Sequence, residues 1–149
     1  MAIGEKEIKA EDFSRVAGEM GQAFATLPLT PLMREIKEIA EEAIAVNFLE
    51  SEEASGQKWA ARKRVYPWPI LIKSGHLMRS ATTEGEAGHI EQIGDREVTT
   101  GTSVFYAGFH QYGTERMVAR PFEAVPDAAV YEMEEALVQF IQDAIFEGV

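Results

Sequence analysis

Apolar residues recur at helical spacing in three stretches of this chain. In the first, Phe13, Val16, Ala17, Met20, Phe24 and Leu27 fall on one stripe, with Asp12 placed to cap the N-terminus. Pro28 and Pro31 then break the chain. A second helix follows, with Thr30 as cap and Pro31 at the first helical position, where its missing N–H costs nothing. Ile36, Ile39, Ala40, Ala43, Ile44 and Val46 form its inner stripe, and Glu35, Glu38, Glu41 and Glu42 its wet face. The third helix opens after Pro126 with Asp127 as cap. Val130, Met133, Leu137, Phe140, Ile141, Ala144 and Ile145 share one side of it, and Glu132, Glu135 and Gln139 lie largely on the other.

Between Ser80 and Gly101 the pattern changes. Glycines punctuate short stretches of Thr, Ile and Val, which predicts strands at Ser80–Glu84, His89–Ile93 and Glu97–Gly101. Turns fall at Gly85-Glu86-Ala87-Gly88 and Gly94-Asp95-Arg96, and a further short strand is expected at Met117–Arg120. The predicted fold is α+β: a small antiparallel sheet of about four strands packed against N-terminal and C-terminal helices. With no internal repeat, linker or low-complexity segment, residues 1–149 read as a single domain.

Composition narrows the chemistry. The apolar share, 46% of 149 residues, suits a packed globular domain. There is no cysteine, which removes disulfides, cysteine zinc sites and thiol nucleophiles. The start, Met-Ala-Ile-Gly-Glu-Lys-Glu, lacks the basic and apolar regions of a signal peptide. No apolar run approaches the roughly 20 residues needed to cross a bilayer. The expectation is a protein that stays in the cytosol until it meets a partner, with no membrane association. Net charge is −11, unevenly spread. Residues 1–57 carry twelve acids and five bases, 58–80 six bases and no acid, and 121–149 seven acids and no base. The basic segment either folds over the chain's own acidic helices or docks on an acidic partner, another copy included.

Familiar catalytic signals are missing. No Gly-Lys pair exists for a phosphate loop, Gly85 and Gly88 lack the third glycine of a dinucleotide fingerprint, and Ile72 stands where a nucleophile elbow before Ser74 requires glycine. His76, His89 and His110 are too scattered for a local metal set. His110, among aromatics in Phe105–Gly113, reads as a partly buried, hydrogen-bonded side chain. No catalytic residue, cofactor or metal is therefore expected. Lys58, Trp59, Arg62, Lys63, Arg64, Tyr66 and Trp68 interleave cations with aromatics, a combination that grips phosphates and stacks bases. A small nucleic-acid-binding protein using Lys58–Trp68 is thus the alternative function, although net −11 weighs against it and no sequence-specific module is evident. The same segment also has the composition of an interface anchor. Tyr66-Pro67-Trp68-Pro69 is a stiff extended loop, and Trp59 and Trp68 either anchor a partner or cap the core.

Two blocks carry a resemblance. Trp59 with Ile70-Leu71-Ile72-Lys73-Ser74-Gly75-His76-Leu77-Met78-Arg79-Ser80 resembles the Trp…Ile-Leu-x-x-[Ser/Thr]-Gly-x-Leu-x-x-Ser pattern of the phage virion-morphogenesis proteins. Val98-Thr99-Thr100-Gly101-Thr102, Tyr106-Ala107, His110-Gln111-Tyr112-Gly113-Thr114 and Ala119-Arg120-Pro121-Phe122 are similar to a second succession in that group. The chain departs from it in the short stretch after Trp59, with Arg62-Lys63-Arg64 where longer members carry a polar run. The family includes Mu-like tail-completion proteins, similar to head–tail joining and tail-terminator proteins. The resemblance implies a structural protein of a phage or prophage, not an enzyme and without cofactor. It would form a homo-oligomeric ring of six copies at the head-proximal end of the tail, the neck. There it would terminate the tail or join it to the head, touching tail and head-connector proteins. Its place would be the virion, and the host cytoplasm during assembly.

Physical roles can be assigned beside the resemblance. Gly75 and Gly113 permit left-handed backbone, the latter after a helical turn at Tyr106–Tyr112. Arg120 before Pro121 holds a charge where a strand ends and the last helix approaches, and Phe122 anchors that crossing. With Leu77 and Tyr106 these residues are the expected scaffold. Trp59, Arg62, Lys63, Arg64, Tyr66, Trp68, Thr114, Glu115 and Arg116 are the expected interface, meeting acidic helices of a neighbouring subunit.

Overall fold

A computed structural model describes residues 10–147, except for the side chains of Asp12 and Phe13. The order is α1 (Ala10–Thr26), α2 (Thr30–Glu50), α3 (His76–Thr82), β1 (His89–Ile93), β2 (Val98–Thr102), α4 (Ala107–Tyr112) and α5 (Asp127–Phe146). Helix α2 is the spine. Its C-terminal half, through Ile44 and Phe48, joins Trp59, Leu77, Ala81, Ala107 and Phe122 in the main core. Leu32 and Met33 near its start pack with Ile93 and Val98 of the hairpin and with Leu137 and Phe140 of α5. Ile39 and Ala43 meet Ala129 and Met133 of α5. Three apolar clusters along one helix hold every other element except α1.

Strands β1 and β2 pair antiparallel, His89 opposite Thr102 and Ile93 opposite Val98. The chain is α+β as expected, but among the described residues the sheet has two strands and not about four. Ser80–Glu84 is not a strand; it is the end of α3 and the turn after it. Leu77, Ser80 and Ala81 are buried at i, i+3 and i+4, a helical spacing that outweighs the threonines following it. Met117–Arg120 is not a strand either. Its bonds go to a local turn, Thr114 N to Met117 O at 2.9 Å, and to α4, Arg120 N to His110 O at 2.7 Å.

The hairpin turn organises two helix ends. Asp95 Oδ1 accepts the Leu29 N–H at 2.7 Å and lies 3.5 Å from the Thr30 hydroxyl, so a carboxylate meets the positive end of α2. Arg96 donates to the Phe24 and Ala25 carbonyls, at 2.9 and 2.6 Å, at the negative end of α1. The expected caps are accordingly displaced. Thr30 is already helical and its hydroxyl is no cap, and α5 begins at Asp127 with Pro126 before it and no side-chain cap bond. Helix α1 starts by Ala10, so Asp12 sits inside it; its side chain and that of Phe13 lie outside the described residues.

Candidate functional site

The motif residues converge on one knot. Trp59 is buried, stands edge-on to Phe48 with ring centroids 5.9 Å apart, and donates its indole N–H to Pro121 O at 2.8 Å. Arg120 donates through Nε to Ala60 O at 3.0 Å and through Nη2 to Ala61 O at 3.4 Å. Phe122 is fully buried, 4.9 Å from the Phe48 ring. Gln111 Oε1 accepts the Phe122 and Glu123 N–H groups, both at 2.9 Å, and Asn47 Nδ2 donates to Phe122 O and Ala124 O. The two sequence blocks thus meet through side-chain donors on main-chain carbonyls, and Trp59, offered as an interface anchor or a core cap, is core. Arg120 holds the loop after Trp59 and not a strand end. Gly75 and Gly113 have φ of 77° and 73°. At Gly113 an added Cβ would meet Met117 O and Ala119 N at 2.8 Å. Gly75 introduces α3. Asn47 was not anticipated, and Gln111 only as a member of the second block; their bonds to main-chain groups 75 and 11 positions on are marked by no local spacing.

Outside this knot the loop 62–73 builds a cationic aromatic surface. Tyr66 and Trp68 stack with centroids 4.9 Å apart; Arg62 lies over Tyr66 at 5.6 Å and Lys73 over Trp68 at 5.0 Å. They border a cavity of about 380 Å³ shared with His110 and Arg120. Burial, and then the Arg120 charge, push the His110 imidazole below the ordinary range. Its ring stands edge-on to Tyr106, and Nδ1 is buried without a hydrogen-bond partner, contrary to the bonded histidine expected. Of the other expected interface residues, Lys63 and Arg64 are exposed, and Thr114, Glu115 and Arg116 form an exposed turn outside this cavity. There the Thr114 hydroxyl accepts the Arg116 and Met117 N–H groups.

A buried ionic cluster was not foreseen. Lys37 and Glu41, one turn apart on α2, are only 4% and 7% exposed, so Glu41 leaves the wet face assigned to it. Lys37 Nζ lies 3.1 Å from Glu91, 3.6 Å from Glu84 and 3.8 Å from Glu41. Thr100 donates to Glu41 Oε1 at 2.6 Å. His89 sits with Nδ1 2.9 Å from Ser80 O and Nε2 3.1 Å from Glu41 Oε1, the latter without hydrogen-bond alignment. Burial works against the Lys37 charge, but the Glu91 hydrogen bond and the charges of Glu41, Glu91 and Glu84 together outweigh it and raise its pKa. The cluster locks α2 to the hairpin. Among the described residues no group of three His, Asp or Glu is arranged to hold a metal ion.

The phage virion morphogenesis family matches residues 8–145, nearly the whole chain. The chain belongs to that family. No curated protein and no solved structure matches it. No helix among the described residues is long and apolar enough to cross a membrane.

In this phage morphogenesis protein the stripe of α1 is not buried. Every described side chain from Ser14 to Thr26 is exposed, Val16 at 44%, Met20 at 53% and Phe24 at 37%. Between α1 and α5 runs an apolar groove lined by Met20, Ala23, Phe24, Leu27, Ile141 and Ile145. Phe105, Phe109 and Tyr112 around α4 are also exposed. Val46, Val130 and Ile145, assigned to inner stripes of α2 and α5, are exposed as well.

Proposed function

We propose that this chain is a structural subunit of a tailed-phage particle, of the tail-completion or head–tail joining type. It forms a ring of six copies at the neck, where it ends tail growth or readies the tail for a filled head. It acts without cofactor and catalyses nothing. Its place is the virion, after assembly in the host cytoplasm. The observation that carries this reading is α1, an amphipathic helix with its apolar face bare on a member of a virion morphogenesis family. Large apolar side chains left to water on one stripe have a partner outside the chain. The motif residues support the same reading, because Trp59, Gln111, Arg120 and Phe122 place loops and face no substrate.

The test is deletion of the gene in the phage or prophage that carries it, with electron microscopy of the lysate. Expected are filled heads separate from tails, or tails of irregular length, with joined particles restored by the gene in trans. Joined, infectious particles at the parental titre without the gene would refute the role. The alternative, nucleic-acid binding by Lys58–Trp68, loses support from the loop itself. Trp59 is core, and the Tyr66 and Trp68 rings stack on each other beneath Arg62 and Lys73, which leaves little ring face for a base. A mobility shift of DNA at moderate salt would revive it.

A further inference from the structure

Two charged surfaces of the molecule find no opposite charge among its described residues. The first is the cavity bordered by Arg62, Tyr66, Trp68, Lys73 and Arg120. Among the described residues none of its three cations meets a carboxylate. The second is a shallow groove of about 820 Å³ between α2 and α5, lined by Glu35, Tyr131, Glu132, Glu134, Glu135 and Val138. None of these four carboxylates meets a cation among the described residues. Tyr131, Glu134, Glu135 and Val138 stand at i, i+3, i+4 and i+7, an outward stripe on α5, and Tyr131 and Val138 are 67% and 53% exposed. Ala129, Met133, Ala136 and Phe140 take the inner face.

The surfaces cannot reach each other in one molecule. The acidic groove opens over Glu35 and Ile39 of α2, whereas Ile70, Leu71 and Leu77 of the cationic cavity pack on the Phe48 cluster. From Glu35 to Phe48 the helix advances about 20 Å at about 1.5 Å per residue. Each surface also carries aromatic or aliphatic side chains beside its charges, the makeup of an interface that excludes water around ion pairs.

We infer that these surfaces are the two halves of one head-to-tail contact between copies of this chain. The Tyr131–Val138 stripe of one copy seats on the cavity of the next, Glu134 and Glu135 meeting Arg62 and Lys73, and Tyr131 meeting the Tyr66–Trp68 pair. The occupant is a second copy because the chain itself supplies both the anions and the cations that find no counter-charge among the described residues, each with apolar contact area beside it. Different surfaces in contact make a heterologous interface, which closes into a ring when its rotation divides the circle. The inference rests on the ring-forming reading above and specifies its contact.

The absence of cysteine makes the test clean. Lys73→Cys and Glu135→Cys variants are mixed under mild oxidation, with Glu97→Cys replacing either one as control. The expected result is a mixed disulfide dimer about tenfold above either control mixture, suppressed by high salt as for a charge-steered contact. Arg62→Glu or Glu135→Arg alone should weaken self-association by about tenfold in light scattering, and the two together should recover most of it. Arg62→Gln, a milder change, should weaken it less, and circular dichroism checks that each variant is folded. Crosslinking equal to the controls, or a double reversal no better than the single ones, overturns the contact; so does DNA that binds at the cavity and leaves crosslinking of the two variants at the control level. Crosslinking with normal particles after gene deletion keeps the contact and removes the neck role. Unjoined particles without crosslinking keep the role and remove the contact.

Discussion

Helices α1 and α2 are joined by three residues and both carry an apolar stripe, yet they meet opposite fates. Around α2 the chain closes on all but the face of Glu35, Glu38, Glu42, Val46 and Leu49, even burying Lys37 and Glu41. Around α1 the described residues do not close: α5 only borders an open groove with it, Arg96 holds its last turn, and every described side chain from Ser14 to Thr26 stays exposed. An apolar stripe states that a helix needs a partner and does not state whether that partner lies in the same chain. For α2 the partners are internal, and packing decides stability. For α1 no described residue covers the stripe, and under the function proposed above that stripe serves assembly.

That contrast is open to direct attack. The largest expected effect is at the spine: Phe48→Ala should cost about 3–5 kcal/mol, read as a lowered unfolding midpoint. Lys37→Met should cost about 3 kcal/mol by leaving Glu41 and Glu91 without their buried cation. Because the fold raises the Lys37 pKa, its contribution is complete below the ordinary value of 10.5 and is lost as pH rises through the higher folded value. Thermal melts above pH 10.5 should therefore fall more steeply for the parent than for Lys37→Met. Trp59→Phe removes the N–H that serves Pro121 O and should cost about 1 kcal/mol in denaturant titration. At His110 the sign is reversed. Its pKa is lowered in the fold, so below 6.5 the unfolded chain binds more protons and acidification removes stability until the folded imidazole is protonated too. His110→Gln should flatten that acid-side slope. The smallest effect on stability belongs to α1: Phe24→Ser should stay within about 0.5 kcal/mol, yet abolish assembly of particles. A large loss of stability from Phe24→Ser would show that α1 is an ordinary core helix and dissolve the contrast.

Much of this was legible in the amino-acid pattern, for local reasons. β1 falls on His89–Ile93 as the alternation and flanking glycines predict, and the prolines at 28, 31 and 126 mark helix borders. Gly75 is left-handed, Gly113 has a positive φ with extended ψ, and Phe122 is a core anchor. The failures are tertiary. Thr82 and Thr83 favour a strand by propensity, but Leu77 and Ala81 are drawn onto Phe48 as a helix. Glu41 looks like one more solvated acid until Lys37, His89 and Thr100 surround it. The cation–aromatic loop was legible as composition, while the burial of Trp59 against Phe48 and the stacking of Tyr66 on Trp68 were not.

The order of residues by itself determined the helical stripes, the hairpin, the segregation of charge along the chain and the motifs that mark a phage morphogenesis protein, because each depends on neighbours within a turn or a pair of strands. The tertiary structure alone decided which stripes are covered, which charges are buried together and which faces remain bare. Those outcomes depend on contacts between residues far apart in the chain, such as Glu41 with Thr100, Asn47 with Phe122 or Ile39 with Ala129, and no local pattern encodes them.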